Sequence, residues 1–250
     1  MKLFKLITIL FIFIVLSLLL PSVSFAAVYT ATTTAGYTST FDGWVERSGV
    51  CDTTANYRAG AGTASSTIVA APQFVYADSR TCAAGSIKNY NKTIFKFNLN
   101  AIPSNATITG VKFSPYIQKG GDNNSQRIVI TSIATANSTS VSTADYAIGS
   151  QGTTFYASST IASTPASFAY FDFNFNSAGI TYVQNTFQTA STTLTARLSW
   201  DFDNVTLGTG NVEDNVASYQ SDDGAYAAAK LEVTYTTPLV RKIRGVGISR

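Results

Sequence analysis

The chain has 250 residues, of which 12% are charged, 12% are aromatic and none is histidine. Without histidine there is no Ser-His-Asp or Cys-His catalysis and no histidine-ligated zinc, iron or copper site. The formal charge of +3 comes from the two ends: setting aside Lys2, Lys5, Arg241, Lys242, Arg244 and Arg250 leaves 11 Lys/Arg against 14 Asp/Glu, a body near −3 with no bulk attraction for nucleic acid.

At the start, Lys2 and Lys5 precede an apolar run from Leu6 to Leu20, then Pro21, then Ser24-Phe25-Ala26 with small residues where signal peptidase reads. This predicts a signal peptide over residues 1–26, cleaved after Ala26, and a secreted or cell-surface protein that meets the membrane only through that segment. The alternative is an uncleaved anchor, but the run of 15 residues falls short of the roughly 18–20 that span a bilayer. About 224 residues then remain, enough for one large all-β domain with a sizeable core. Abundant Thr, Ser, Asn, Tyr and Phe favour strands and polar loops.

Strands are expected near 28–34, 44–48 and 73–77. Cys51 and Cys82 flank this stretch, and in an exported chain an oxidised pair is the default. Such a bond, closing a loop of about thirty residues, would stabilise the fold by roughly 3–4 kcal/mol on the chain-entropy account. Two separate buried thiols remain the alternative, because spacing does not fix the Cα separation. The same region concentrates rings and cations: Trp44, Arg47, Tyr57, Arg58, Tyr76, Arg80, Lys88 and Tyr90. Flat rings stack on sugar faces and Arg or Lys pairs with uronic carboxylates, so the first seven are candidate polysaccharide-binding residues. Packing within the sheet is the competing reading for each ring.

Period-two alternation is plainest in "TIFKFNL", where Phe95, Phe97 and Leu99 oppose Lys96 and Asn98, and in "GVKFSPYIQ", where Val111, Phe113 and Ile117 oppose Lys112, Ser114 and Gln118. Pro103-Ser104-Asn105 between them reads as a turn. A strand is expected over 126–135, and the Thr/Ser/Ala-rich stretch 134–168 reads as loop with at most one strand. "AYFDFNFN" then sets Phe171, Phe173 and Phe175 on one face, and Ile180, Val183 and Phe187 give residues 177–189 helical spacing. "TTLTARLSWDF" and "KLEVTY" supply the last strands, and the basic tail 238–250 shows no alternation. Each strand is expected to have one wet face. Eight or more strands and one short helix predict an all-β, antiparallel two-sheet sandwich of the jelly-roll kind, spanning 27–237.

Chemistry-bearing patterns are few. Gly60-Ala61-Gly62 lacks the third glycine of a dinucleotide loop, no phosphate-binding GK[ST] occurs, and Glu46, Glu213 and Glu232 offer no glycosidase pair. A lyase using Tyr as acid and base beside Arg is compatible with composition and would need the two side by side in a cleft. Asp201, Asp203, Asn204, Glu213 and Asp214 gather oxygen ligands in what reads as one connection, a candidate structural Ca²⁺ site. The competing reading is a solvated acidic loop. Five Asn-x-Ser/Thr sites occur, at Asn91, Asn105, Asn123, Asn137 and Asn204.

Several segments carry a family resemblance: Phe41-Asp42-Gly43-Trp44-Val45, Asn56-Tyr57-Arg58-Ala59-Gly60, "TIFKFNLNAIPSNATITGVKF", "LSWDFDN" and "YQSDDGAYAAAKLEVTY". Over most of residues 38–237 the chain resembles the DNRLRE-type domain, similar to alginate-binding carbohydrate-binding modules and to the repeats of archaeal disaggregatase-related surface proteins. The resemblance implies a non-catalytic jelly-roll sandwich that binds polysaccharide or serves as an extracellular scaffold. Asn98 departs from the family's usual Asp, and the region between Cys51 and Cys82 is expanded. The expected function is therefore polysaccharide binding outside the cell. The alternative is a structural or adhesive protein of a surface layer, filament or virion that binds protein.

Overall fold

A computed structural model describes residues 25–32, 43–53, 61–66, 73–78, 86–119, 127–132, 141–146, 154–160, 163–188, 193–200, 213–219 and 229–237. Among the described residues two antiparallel sheets and one α-helix form an all-β sandwich, as the alternation predicts. The smaller sheet runs β1 (Phe25–Thr32), β14 (Lys230–Thr237), β6 (Thr107–Ser114), β11 (Phe173–Asn174). The larger runs β10 (Ala169–Tyr170), β7 (Tyr116–Lys119), β13 (Glu213–Tyr219), β4 (Gln73–Asp78), β5 (Ser86–Asn98), β12 (Thr193–Trp200), β8 (Arg127–Ser132), β9 (Ala157–Thr160). In addition β2 (Gly43–Thr53) pairs with β5, and β3 (Ala64–Ser66) pairs with β2. Among the described residues no helix is long and apolar enough to cross a membrane.

The sheets meet on aromatic side chains. Phe95 and Phe97 of β5 place their rings 5.1 and 5.7 Å from that of Phe113 on β6, and Phe113 stacks on Phe173 of β11. Leu194, Ala196 and Leu198 of β12 and Ile128 and Ile130 of β8 extend the same buried layer. Each fully buried Phe or Leu contributes about 1.5–3 kcal/mol of transfer free energy, so this layer is what holds the sandwich closed.

Two segments that alternate like single strands divide between the sheets. Residues 111–118 break at Pro115, which has no N–H to give to a ladder, so β6 stays in the smaller sheet and β7 joins the larger. The antiparallel return does the same, with β10 paired to β7 and β11 to β6. The two crossings are tied by Phe171 N–H donating to Pro115 O (3.1 Å) and by Ser114 Oγ–H donating to Asp172 Oδ1 (2.6 Å).

The corner between β5 and β6 follows its sequence. Asn98 Oδ1 accepts from Asn100 N–H (2.7 Å), so the amide fills the turn-forming role that an aspartate would. Ile102 N–H then donates to Leu99 O and Ala106 N–H to Pro103 O, with Ile102 buried and Pro103, Ser104 and Asn105 exposed. The helix α1 spans Ser177–Gln188, within the expected 177–189. Asn176 caps it, its Oδ1 accepting from Gly179 N–H and its O from Ile180 N–H.

β1 pairs Phe25 with Thr237 and Ala26 with Thr236. Two expectations change. Residues 213–219, read as part of a loop, form β13 between β4 and β7. Finally, the central strands have no wet face. On β5, Lys92 and Lys96 are 2% and 5% exposed, and on β12 Thr195, Arg197 and Ser199 are buried as well. A second layer covers that side.

Candidate functional site

Among the described residues the cover includes a 3-10 turn, Thr143–Tyr146. Asp145 Oδ2 accepts from Ser142 N–H (2.7 Å) and Oγ–H (3.2 Å), while Asp145 N–H donates to Ser142 O (3.0 Å), so the turn's start is closed by side chain and backbone together. Lys92 Nζ donates to Tyr146 O (2.6 Å) and lies 3.9 Å above the Tyr146 ring and 5.0 Å from that of Tyr90. Tyr90 and Tyr146 meet edge to face. Gly62 N–H donates to Thr143 O, and a Cβ at Gly62 would lie 3.0 Å from both Thr143 O and Tyr146 Cβ, so any larger residue would press the turn outward by a few tenths of an ångström.

Beneath the turn lies Arg197, fully buried. Its Nη2 donates to Thr131 Oγ1 (2.7 Å), the cross-strand partner in register, while Nε and Nη1 have no acceptor and Asp145 Oδ1 has no donor. Burial pulls the guanidinium down to about 9, a shift that Tyr90, Tyr146 and Asp145 only partly oppose. Here Tyr and Arg do stand side by side, the arrangement a Tyr/Arg lyase would use. However, Arg197 has no exposed surface and Tyr90, Tyr146 and Lys92 are at most 2% exposed, so no polymer reaches them.

A different group of rings reaches solvent where the strands change sheets. Tyr116 stacks on Phe168 (6.1 Å between centroids, 19° between planes) and meets Tyr170 edge-on (5.2 Å). Tyr170 is 36% exposed, and the Lys230 ammonium sits 3.7 Å from its ring centroid. Beside it, Lys112 bridges Asp172 (3.6 Å) and Glu232 (3.4 Å). Attraction to Asp172 first, then Glu232, raises the Lys112 ammonium above its ordinary value. Ser114 and Lys112 thus both engage Asp172, which favours the ammonium form of the lysine.

Of the residues expected to bind ligand, Trp44 and Arg47 are the two whose side chains are described. Trp44 and Arg47 are both half-buried on β2, but their odd spacing with unbroken register puts them on opposite faces, and Arg47 pairs with Asp52 at 3.9 Å. Tyr76 is placed by backbone alone, opposite Asn215, and Lys88 likewise within β5. Tyr57, Arg58 and Arg80 lie outside the described residues, as do Asp201, Asp203, Asn204 and Cys82. Glu213 and Asp214 are consecutive strand residues of β13, not loop residues. Among the described residues no group of three His, Cys, Asp or Glu is placed to hold a metal. Cys51 carries no free thiol.

The ring cluster had a partial signal: Phe168 and Tyr170 share parity, and Pro115 interrupts the strand before Tyr116. Nothing local marked the buried layer, since Lys92 and Tyr146 are 54 residues apart. No family model matches the chain, and no curated protein matches it.

Proposed function

We propose that this protein is an exported, non-catalytic β-sandwich that binds polysaccharide through the surface of Phe168, Tyr116 and Tyr170. The observation that carries the reading is the partly exposed cluster of three rings with Lys230 at its margin. Rings offered to solvent on a rigid sheet stack on the C–H faces of sugars, and an ammonium beside them complements acidic or hydroxyl-rich glycans. The site differs from the one expected over residues 44–88 and keeps the same ligand class. The Lys112 carboxylate bridges and the sealed Tyr-Arg cluster support the non-catalytic part.

The reading extends to a DNRLRE-type domain released after a signal peptide and held by a Cys51–Cys82 disulfide. It keeps Ca²⁺ as a structural ion bound through the connection containing Asp201, Asp203 and Asn204. Affinity electrophoresis against neutral and acidic polysaccharides, with calcium or with chelator, tests it. Tyr170→Ala and Phe168→Ala are each expected to weaken retardation about tenfold, roughly 1.4 kcal/mol. Unchanged retardation in both variants rules out this surface. Failure of the parent protein to bind any glycan favours the alternative of a surface, filament or virion protein that binds protein.

A further inference from the structure

Two of the five Asn-x-Ser/Thr sites lie within the described residues, and the fold treats them in opposite ways. Asn91-Lys92-Thr93 sits in mid-strand on β5, where Asn91 pairs with Glu46 of β2 and Thr93 with Leu198 of β12. Its three side chains are 5%, 2% and 0% exposed. No enzyme reaches an acceptor there in the folded chain, and a glycan attached earlier would have to be buried inside the larger sheet.

Asn105-Ala106-Thr107 is presented instead. Asn105 lies in the turn that leads into β6, closed by Ala106 N–H donating to Pro103 O (2.9 Å). The middle residue Ala106 is buried, while Asn105 and Thr107 are both exposed, so amide and hydroxyl stand together on the solvent side as period-two geometry requires. Asn98 and Asn176 spend their amides on a turn and a helix cap. Among the described residues no hydrogen bond engages the Asn105 carboxamide or the Thr107 hydroxyl.

We infer that Asn105 is an attachment site for an N-linked glycan and that Asn91 is not. Attachment to an Asn-x-Thr acceptor needs the asparagine amide and the hydroxyl two residues on to be accessible at the surface, and this corner offers both. The donor is a polyprenyl-diphosphate-linked oligosaccharide: Asn105 Nδ2 forms a bond to the anomeric carbon, the bond from that carbon to phosphate oxygen breaks, the lipid diphosphate leaves, and the amide proton passes to a carboxylate of the transferase. No electrons are exchanged with a redox partner. β6 runs eight residues from Thr107 to Ser114, about 23 Å at the usual rise of a strand, so a glycan at Asn105 leaves the rings of Tyr116, Phe168 and Tyr170 open at the other end. The inference rests on export of the chain and is independent of polysaccharide binding.

The full chain, produced in a eukaryotic cell that N-glycosylates its secreted proteins, tests it, once with its own leader and once with a host leader placed ahead of it. Protein recovered from the medium and the secretory compartment is treated with peptide N-glycosidase in heavy-oxygen water and mapped by mass spectrometry. The expected result is labelled aspartate at position 105 and unmodified Asn91, with complete loss of the label in Asn105→Gln and in Thr107→Ala, the second of which keeps the asparagine in place. An unmodified Asn105 behind the host leader overturns the inference, as does a glycan on Asn91 in folded, secreted protein or a label that persists in Thr107→Ala. Modification behind the host leader but not behind the chain's own supports the attachment site and overturns the export reading alone.

Discussion

Arg197 offers the sharpest test of how the charged layer under the 3-10 turn is held. Lowering the guanidinium to about 9 corresponds, at about 1.4 kcal/mol per unit, to a net cost on the order of 5 kcal/mol, with the attraction to Tyr90, Tyr146 and Asp145 already counted in it. Against this stands the charge-assisted bond to Thr131, worth about 1.5–3 kcal/mol. Arg197→Met keeps the aliphatic stem and removes both terms, so stability at pH 7 is expected to rise by about 2–3 kcal/mol. Urea unfolding followed by tryptophan fluorescence measures it. The pH dependence has a definite sign. Below pH 9 both folded and unfolded chains hold the Arg197 proton and the fold bears the full cost; above it the folded chain releases the proton first, so the parent gains on the variant as pH rises past 9. Thr131→Val should cost about 2 kcal/mol in the parent and little in the Arg197→Met background. A loss above about 3 kcal/mol in Arg197→Met would refute the reasoning, because that is the signature of a buried charge whose partners compensate it.

Gly179→Ala should destabilise the fold despite alanine's better helix propensity. The new Cβ would stand 2.7 Å from Tyr156 Cβ and 2.9 Å from Phe175 Cδ2, and overpacking of about 1–3 kcal/mol outweighs a gain of about 1 kcal/mol; thermal unfolding decides. Gln184→Ala leaves Ile108 N–H and Ala106 O uncapped and should cost about 1–2 kcal/mol in urea, with faster amide exchange at Ile108. Asp172→Asn weakens the corner where both strand segments change sheets. Because Asp172 is half exposed, the loss should stay below about 1 kcal/mol. The contribution of Lys112 is fully present below its unfolded value of 10.5 and is lost as pH rises through its raised folded value, so the stability difference between parent and Lys112→Met should persist through neutral pH and vanish only in strong alkali.

Local pattern alone determined the all-β class, the core residues Phe95, Phe97, Val111 and Phe113, the Pro103-Ser104-Asn105 corner and the helix over 177–188. Those features depend on side-chain period and turn chemistry, which act within a few residues. Tertiary structure decided where each strand went and what covered it. "GVKFSPYIQ" alternates without interruption, yet Pro115 hands its two halves to different sheets. Lys96 occupies a polar position in the alternation and is buried nonetheless, because β5 sits mid-sheet beneath a layer that includes a turn some fifty residues further along the chain. The rings of Tyr116, Phe168 and Tyr170 come together only because both crossings bend at the same place. Alternation specifies that a residue has two sides to choose between; what lies on each side is set by contacts distant in sequence, and no local period encodes them.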